Sequence, residues 1–171
     1  MENVERIVWT LLQHDRWKLH IAATEKGLCY VGSPDAPLEE LAAWVNKRLP
    51  HYDLVEAANE LEPYVTELKE YLDGQRTVFA LPIDLHGTAF QQSVWHALQQ
   101  IPFGETVTYT QVAERLQKPS AVRAVASAIG ANPVMIPVPC HRVIAKSGKL
   151  AGFRGGLDMK EHLLLLEQRQ V

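Results

Sequence analysis

Cysteine is scarce in this chain, which has two cysteines among 171 residues and no C-x-x-C pair. Two cysteines cannot form a disulfide framework, and alone they cannot supply the four ligands of a structural zinc site. The histidines outside the Cys140–His141 pair show no paired metal-ligand spacing: His14, His20, His51, His86, His96 and His162. We therefore expect no bound metal ion and no cofactor. Cys29 lies in an apolar, strand-like run and is expected to be a buried structural thiol.

Long apolar runs are absent as well. No stretch approaches the roughly 20 apolar residues that span a bilayer. Charged residues interrupt the opening sequence, "MENVERIVWTLLQHDR", too early for a secretory signal. We therefore expect no membrane attachment and a cytoplasmic location, where thiols stay reduced.

The net charge of −3 conceals an asymmetry between the two halves. Residues 1–86 carry 15 acidic and 8 basic side chains, whereas residues 87–171 carry 5 acidic and 9 basic ones. A local positive field of this kind suits a phosphate backbone. Charge alone leaves a solvated basic face as the alternative.

The first half reads as strands followed by helices, and the second half as mainly helical. Alternating and β-branched runs indicate strands, and apolar residues at helical spacing indicate helices. The predicted strands cover residues 5–13, 17–24, 27–33 and 76–87, and the predicted helices cover residues 37–50 and 60–74. The class is α+β, with an N-terminal α/β domain over residues 1–86 and a C-terminal domain over residues 87–171.

Helix-start signals organise the second half. Thr88 with Gln91, and Thr108 with Gln111, have capping-box spacing ahead of helical runs. Ser120 is expected to cap "AVRAVASAIGA", so "YTQVAERL", "QKPS" and this helix would form a helix-turn-helix. "MKEHLLLLEQR" is expected to form a terminal helix.

The second helix of that motif has one face that is nearly bare. Helical spacing places Val122, Val125 and Ile129 on the inward face. The bare face carries Arg123, Ser127 and Gly130, with Ala126 at its border. Small residues permit close approach to another surface, and one arginine could enter a groove or stack on bases. The alternative is a packed internal helix with Arg123 in a surface ion pair.

The stretch "IPVPCHRVI" places Cys140 beside His141 and Arg142. A thiolate is a strong nucleophile, and a nearby base or positive charge is needed to generate it at neutral pH. Adjacent residues on an extended strand point to opposite faces, so His141 would reach the thiol only through irregular backbone or a bridging water. A buried structural cysteine remains the alternative.

"IPVPCHRVI", preceded by "FGETVTYTQVA" and "AVRAVASAIGANPV", resembles the O6-alkylguanine–DNA alkyltransferase family. The close match covers about residues 87–168. The resemblance implies a ribonuclease H-like N-terminal domain and a C-terminal winged helix-turn-helix that carries the cysteine. It also implies stoichiometric, irreversible repair of O6-alkylguanine, and of O4-alkylthymine, in double-stranded DNA by a monomer.

The resemblance assigns a role to individual residues. Cys140 would accept the alkyl group, His141 would act as its base through a water, and Glu167 would orient His141. Arg123 would fill the gap left by the extruded nucleotide, and Tyr109 would help to turn that nucleotide out. Further implied contacts are Asn132 at the turn before the cysteine, Ser127, Ala126 and Gly130 on DNA, and Val143, Phe153 and Arg154 at the substrate pocket.

The chain departs from the family pattern at Phe153, where many members have tyrosine. Phenylalanine keeps an apolar pocket wall but removes a phenol donor, which affects the range of alkyl groups. Three other classes remain to be distinguished: an alkyltransferase-like damage sensor, which would lack the cysteine, a sequence-specific transcription factor, and a hydrolytic cysteine enzyme.

Overall fold

The computed structural model describes residues 5–150 and 152–169. The chain divides into two compact units, residues 1–86 and 87–171. The first unit is built on a sheet and the second is mainly helical, as the sequence predicts. No helix among the described residues is both long and apolar enough to cross a membrane.

A four-stranded sheet with the order β3-β2-β1-β4 frames the described part of the N-terminal unit. Its strands are β1 (Glu5–His14), β2 (Trp17–Thr24), β3 (Gly27–Val31) and β4 (Tyr52–Glu56). The first three strands pair antiparallel, and the predicted hairpin between β1 and β2 is confirmed. Strand β4 runs parallel to β1. A parallel partner requires a crossover, which the intervening helix provides.

Two helices, α1 (Leu38–Arg48) and α2 (Ala58–Leu72), complete this unit and confirm the two predicted helices. Leu41 and Val45 of α1 join a buried cluster that includes Cys29. Cys29 is fully buried, and this burial raises the pKa of its thiol, with Asp84 adding to the rise. The prediction of a buried thiol at Cys29 is confirmed.

One strand of this unit was not predicted, and one prediction is wrong. The sequence analysis assigned no element to the five residues of β4, none of which is fully buried. Residues 76–87 were predicted as a strand, but they form only an isolated bridge between Leu28 and Ile83. Pro82 lacks a donor and interrupts a ladder. Its carbonyl instead accepts from the Leu28 amide at 3.0 Å, and it lies 2.6 Å from where a Cβ on Gly27 would stand.

The described part of the C-terminal unit contains four helices and a pair of two-residue strands. The helices are α3 (Ala89–Gln99), α4 (Tyr109–Arg115), α5 (Val122–Gly130) and α6 (Leu157–Arg169), and the strands are β5 (Val107–Thr108) and β6 (Val143–Ile144). The strands pair parallel. Short 3-10 turns lie at Pro119–Ala121 and Cys140–Arg142.

Both predicted capping boxes are present. The side chain of Thr88 accepts from the Gln91 amide, and Thr108 does the same with Gln111, each at 3.1 Å. Such caps stabilise a helix start by about 1 kcal/mol. The predicted cap at Ser120 is wrong, because Pro119 starts a 3-10 turn that includes Ser120, and α5 begins at Val122.

Helix α5 packs through the face that the sequence predicts to be inward. Val125 and Ile129 are buried, while Val122 is only half-buried. The indole of Trp95 in α3 donates to the carbonyl of Ala128 at 2.8 Å. A buried bond of this kind fixes the position of α5 against α3, so the opposite face of α5 is held outward.

Candidate active site

Cys140 begins the 3-10 turn that follows a buried apolar segment, residues 134–139. The residue is 6% exposed. Because a 3-10 helix turns through about 120° per residue, Cys140 and His141 do not point to opposite sides as they would on a strand. The irregular backbone that the sequence analysis requires for a Cys–His pair is therefore present.

Asn132 holds the segment that leads to Cys140. Its side-chain amide donates to the carbonyl of Val138 at 2.9 Å, and its side-chain oxygen accepts from the amide of Val134 at 3.0 Å. Asn132 is 1% exposed, so both bonds lie away from solvent. The predicted location of Asn132 at a turn before the cysteine is therefore observed.

His141 and Glu167 form a fully buried pair. The Nε2 atom of His141 lies 2.6 Å from Oε2 of Glu167, and the two side chains are 0% and 1% exposed. Helix α6 carries Glu167 to the 3-10 turn. A carboxylate on one ring nitrogen fixes the tautomer and the orientation of an imidazole.

Arg142 binds the carboxylate of Glu167. Its Nε and Nη2 atoms donate to the two oxygens of Glu167 at 2.8 and 3.0 Å, and Nη1 donates to the carbonyl of Ile101 at 2.7 Å. The amide of Gly104 also donates to Glu167, at 3.2 Å. Arg142 therefore forms a buried, two-pronged ion pair with Glu167.

Burial governs the protonation of the site. Burial raises the pKa of the Cys140 thiol, while the Asn132 side chain and the positive charges of Arg154 and Lys160 act in the opposite direction. Burial also lowers the pKa of His141, although Glu167 opposes that shift. At neutral pH the resting site therefore holds a thiol beside a neutral imidazole, which can accept the thiol proton.

Lys160 is a site residue that the sequence analysis missed. It is 0% exposed, and its Nζ atom donates to the carbonyl of Val143 at 2.6 Å. Burial lowers the pKa of Lys160, and Cys140 acts against that change. A usable signal exists in the sequence, because Lys160, Leu163 and Glu167 are spaced three and four apart and share one face of α6.

Tyr109 and the 152–156 loop lie on another side of the same site. Tyr109 starts α4, and its hydroxyl donates to the carbonyl of Gly152 at 3.5 Å. Burial raises the pKa of Tyr109, so the phenol stays a donor at neutral pH. Phe153 and Arg154 belong to the loop between β6 and α6 and are half-buried, whereas Val143 is buried.

The residues predicted to contact DNA form a separate group on α5. Arg123, Ser127 and Gly130 are exposed and Ala126 is half-buried, as the helical spacing predicts. A Cβ added to Gly130 would meet no atom within 4 Å. The exposed face of α5 is therefore unobstructed and carries short side chains, apart from the long side chain of Arg123. Asn132 connects the end of α5 to the segment that carries Cys140.

No group of three or more histidine, cysteine or acidic side chains suited to a metal ion occurs within residues 5–150 and 152–169.

Two family models together match nearly the whole chain. The 6-O-methylguanine DNA methyltransferase ribonuclease-like domain matches residues 7–85, and the DNA binding domain of the same family matches residues 89–169. The class is defined by a sheet unit followed by a helical unit, in which Cys140 directly precedes the buried His141. The chain belongs to the O6-methylguanine DNA methyltransferase family, which confirms the resemblance found in the sequence.

Relatives with known names agree with this membership. The inducible methylated-DNA–protein-cysteine methyltransferase of Bacillus subtilis is 52% identical, over 98% of this chain and 93% of its own. The Escherichia coli bifunctional transcriptional activator/DNA repair enzyme Ada is 43% identical, over 86% of this chain and 41% of its own. The crystal structure of Mycobacterium tuberculosis OGT in complex with DNA is 36% identical, with a TM-score of 0.81, and the match covers 95% of this chain and 94% of that one.

Proposed function

We propose that this protein is a single-turnover DNA repair methyltransferase. It transfers the alkyl group from O6 of guanine, and from O4 of thymine, in double-stranded DNA to the sulfur of Cys140. The observation that carries the proposal is a cysteine adjoining a buried His141–Glu167 pair within a unit that matches the family's DNA-binding domain. The protein acts as a cytoplasmic monomer and needs no cofactor.

Each of the two units is assigned a fold. We assign the sheet unit, residues 1–86, to a ribonuclease H-like domain, which the strand order β3-β2-β1-β4 supports. We assign residues 87–171 to a winged helix-turn-helix. The succession of α4, a 3-10 turn and α5 supports this assignment.

The exposed face of α5 contacts the DNA. Ser127, Ala126 and Gly130 are small enough to let the helix lie against the DNA backbone, and Arg123 projects from among them. A base inside a duplex is out of reach of a buried thiol, so the target nucleotide must leave the stack at a cost of about a few kcal/mol. Arg123 offsets this cost by filling the gap, and Tyr109 contacts the everted nucleotide.

Chemistry at Cys140 is a one-step displacement. The thiol proton passes to His141 through a bridging water, and since Nε2 faces Glu167, the proton arrives at Nδ1. The sulfur forms a bond to the alkyl carbon as the bond from that carbon to O6 breaks, and the guanine leaves with the electron pair. The resulting thioether has no easy hydrolytic exit, so each molecule reacts once. Positioning of the two reactants supplies much of the acceleration.

The substrate pocket is bounded by Val143 and the 152–156 loop. The main-chain groups of Cys140 and Val143 read the guanine edge, and Lys160 fixes the Val143 carbonyl through its 2.6 Å hydrogen bond. Phe153 supplies an apolar wall without a hydroxyl. The donor to the departing oxygen is then main chain, near Arg154.

A mass measurement tests the function. Incubation with a duplex that contains O6-methylguanine is expected to add one methyl group per protein, at Cys140 alone, with no further turnover. Cys140→Ser should gain nothing, whereas Cys29→Ser, the matched control at the fully buried thiol, should react fully. Binding of DNA without any gain of mass would overturn the proposal and favour a damage sensor or a transcription factor. Repeated release of product would favour a hydrolytic enzyme.

The pH dependence of this transfer follows from His141. Burial lowers its pKa below 6.5, against the effect of Glu167 and with a smaller contribution from Arg142 and Lys160. We expect the single-turnover rate on saturating duplex to hold as the pH falls to 6.5 and to decline only below it. Stability falls in the same acid range, because the unfolded chain binds the proton more tightly. Rapid-quench rates across pH check this, and a midpoint above 6.5 contradicts it.

A further inference from the structure

The 152–156 loop is fastened to the turn after α5 by one side chain. The Nη2 atom of Arg154 donates to the carbonyl of Asn132 at 3.2 Å and to that of Pro133 at 3.3 Å. These carbonyls belong to the turn from which the chain continues to Cys140. The guanidinium therefore joins two segments that are distant in sequence and that both lie beside the thiol.

The loop itself is tightly folded around Phe153. The amide of Gly156 donates to the carbonyl of Phe153 at 2.9 Å, and Gly156 has a φ of +88°. A Cβ on Gly155 would stand 2.5 Å from the Phe153 ring. Because the hydrogen bond and the close ring contact hold the loop in one conformation, the backbone and side chain of Arg154 point in a defined direction.

Two of the groups that Arg154 binds are main-chain carbonyl oxygens. These oxygens carry no net charge, so the two bonds orient the guanidinium without neutralising it. A nearby positive charge favours a thiolate over a thiol. The charge of Arg154 acts on Cys140 in this direction.

We infer that Arg154 is a positioning residue that ties the pocket loop to the Asn132–Pro133 turn and stabilises the thiolate of Cys140. This inference rests on the proposed function, in which Cys140 is the alkyl acceptor. Arginine suits both tasks, since its planar group can serve two carbonyls at once and stays charged at every relevant pH.

Other groups also face the thiol and set its titration. His141 follows Cys140 on the 3-10 turn and is bonded to Glu167. Tyr109 approaches the thiol from α4, and Lys160 approaches it from α6. A test of Arg154 must therefore keep all of these in place and change only the loop residue.

Titration of the Cys140 thiol separates the effect of the Arg154 charge from the effect of its side-chain geometry. The rate of Cys140 alkylation by iodoacetamide, followed by peptide mass across pH, is expected to have a midpoint about one pH unit higher in Arg154→Gln. Arg154→Lys should restore the midpoint, because it keeps the charge. Its transfer rate on alkylated duplex should remain below that of the unmodified protein, because lysine carries its donors on a flexible stem and not on a rigid planar group that fixes the direction of the two bonds. Lys47→Gln, which removes one charge from an exposed site on α1, should leave the midpoint unchanged.

An unchanged midpoint in Arg154→Gln would overturn the electrostatic part, and full transfer activity in Arg154→Lys would overturn the positioning part. Thermal melting confirms that each variant is folded. If Arg154→Gln does not fold, Arg154→Lys still decides the question, since a raised midpoint in that variant contradicts the inference. The titration uses no DNA. A failure of the proposed function would instead appear as absent methyl transfer in the unmodified protein.

Discussion

Glu167→Ala is expected to cost about 3–5 kcal/mol of unfolding free energy, because it leaves the buried Arg142 guanidinium without its carboxylate. Alkyl transfer should also fall by about 100-fold or more, the lower end of what a positioned base contributes, since His141 loses the group that orients it. Urea denaturation and single-turnover transfer measure the two effects. Glu161→Ala, on the exposed side of the same helix, should change stability by less than about 0.5 kcal/mol.

A double-mutant cycle identifies the source of this loss. Arg142→Met combined with Glu167→Leu removes both charges, so the double variant should be more stable than the sum of the two single losses predicts. The cycle isolates the coupling because each single variant leaves one buried charge uncompensated. Additive losses would mean that the ion pair contributes little and that packing dominates. The double variant should still fail in transfer, since His141 remains without Glu167.

Local signals in the sequence were sufficient to predict the helices that build the site. The capping boxes at Thr88 and Thr108 and the two faces of α5 depend on neighbours within one or two turns, and all of them are observed. Ser120 shows where such signals fail. The proline before it favours a 3-10 turn, which places Ser120 inside a helical conformation where it cannot cap.

Long-range packing was not predictable from these patterns. Strand β4 is recognised only by its pairing with β1, and residues 76–87 resemble a strand although they meet the sheet at one bridge. The site shows the same limit. The family resemblance indicated Cys140 and Glu167, but Lys160 looks like an ordinary charged residue until its helix packs against Val143.

Arg123→Ala is expected to slow transfer from a fully paired duplex by about 10- to 100-fold. The residue stands on the exposed face of α5, so its removal should leave the fold and the His141–Glu167 pair unchanged. In the proposed mechanism, the substitution removes the compensation for unstacking the target nucleotide. That cost is about a few kcal/mol, and each 1.4 kcal/mol corresponds to a factor of ten. Single-turnover rates on duplex DNA measure the loss.

The defect should shrink as the target becomes easier to evert. A target placed opposite an abasic site is already unpaired, and the free O6-methylguanine base needs no eversion, so Arg123→Ala should approach the unmodified rate on both. Arg115→Ala, which removes the same charge from an exposed position at the end of α4, should weaken DNA binding through its charge alone and equally on both duplexes. Equal losses for Arg123→Ala on paired duplex and free base would mean that Arg123 acts on the site itself, and the intercalating role would be wrong.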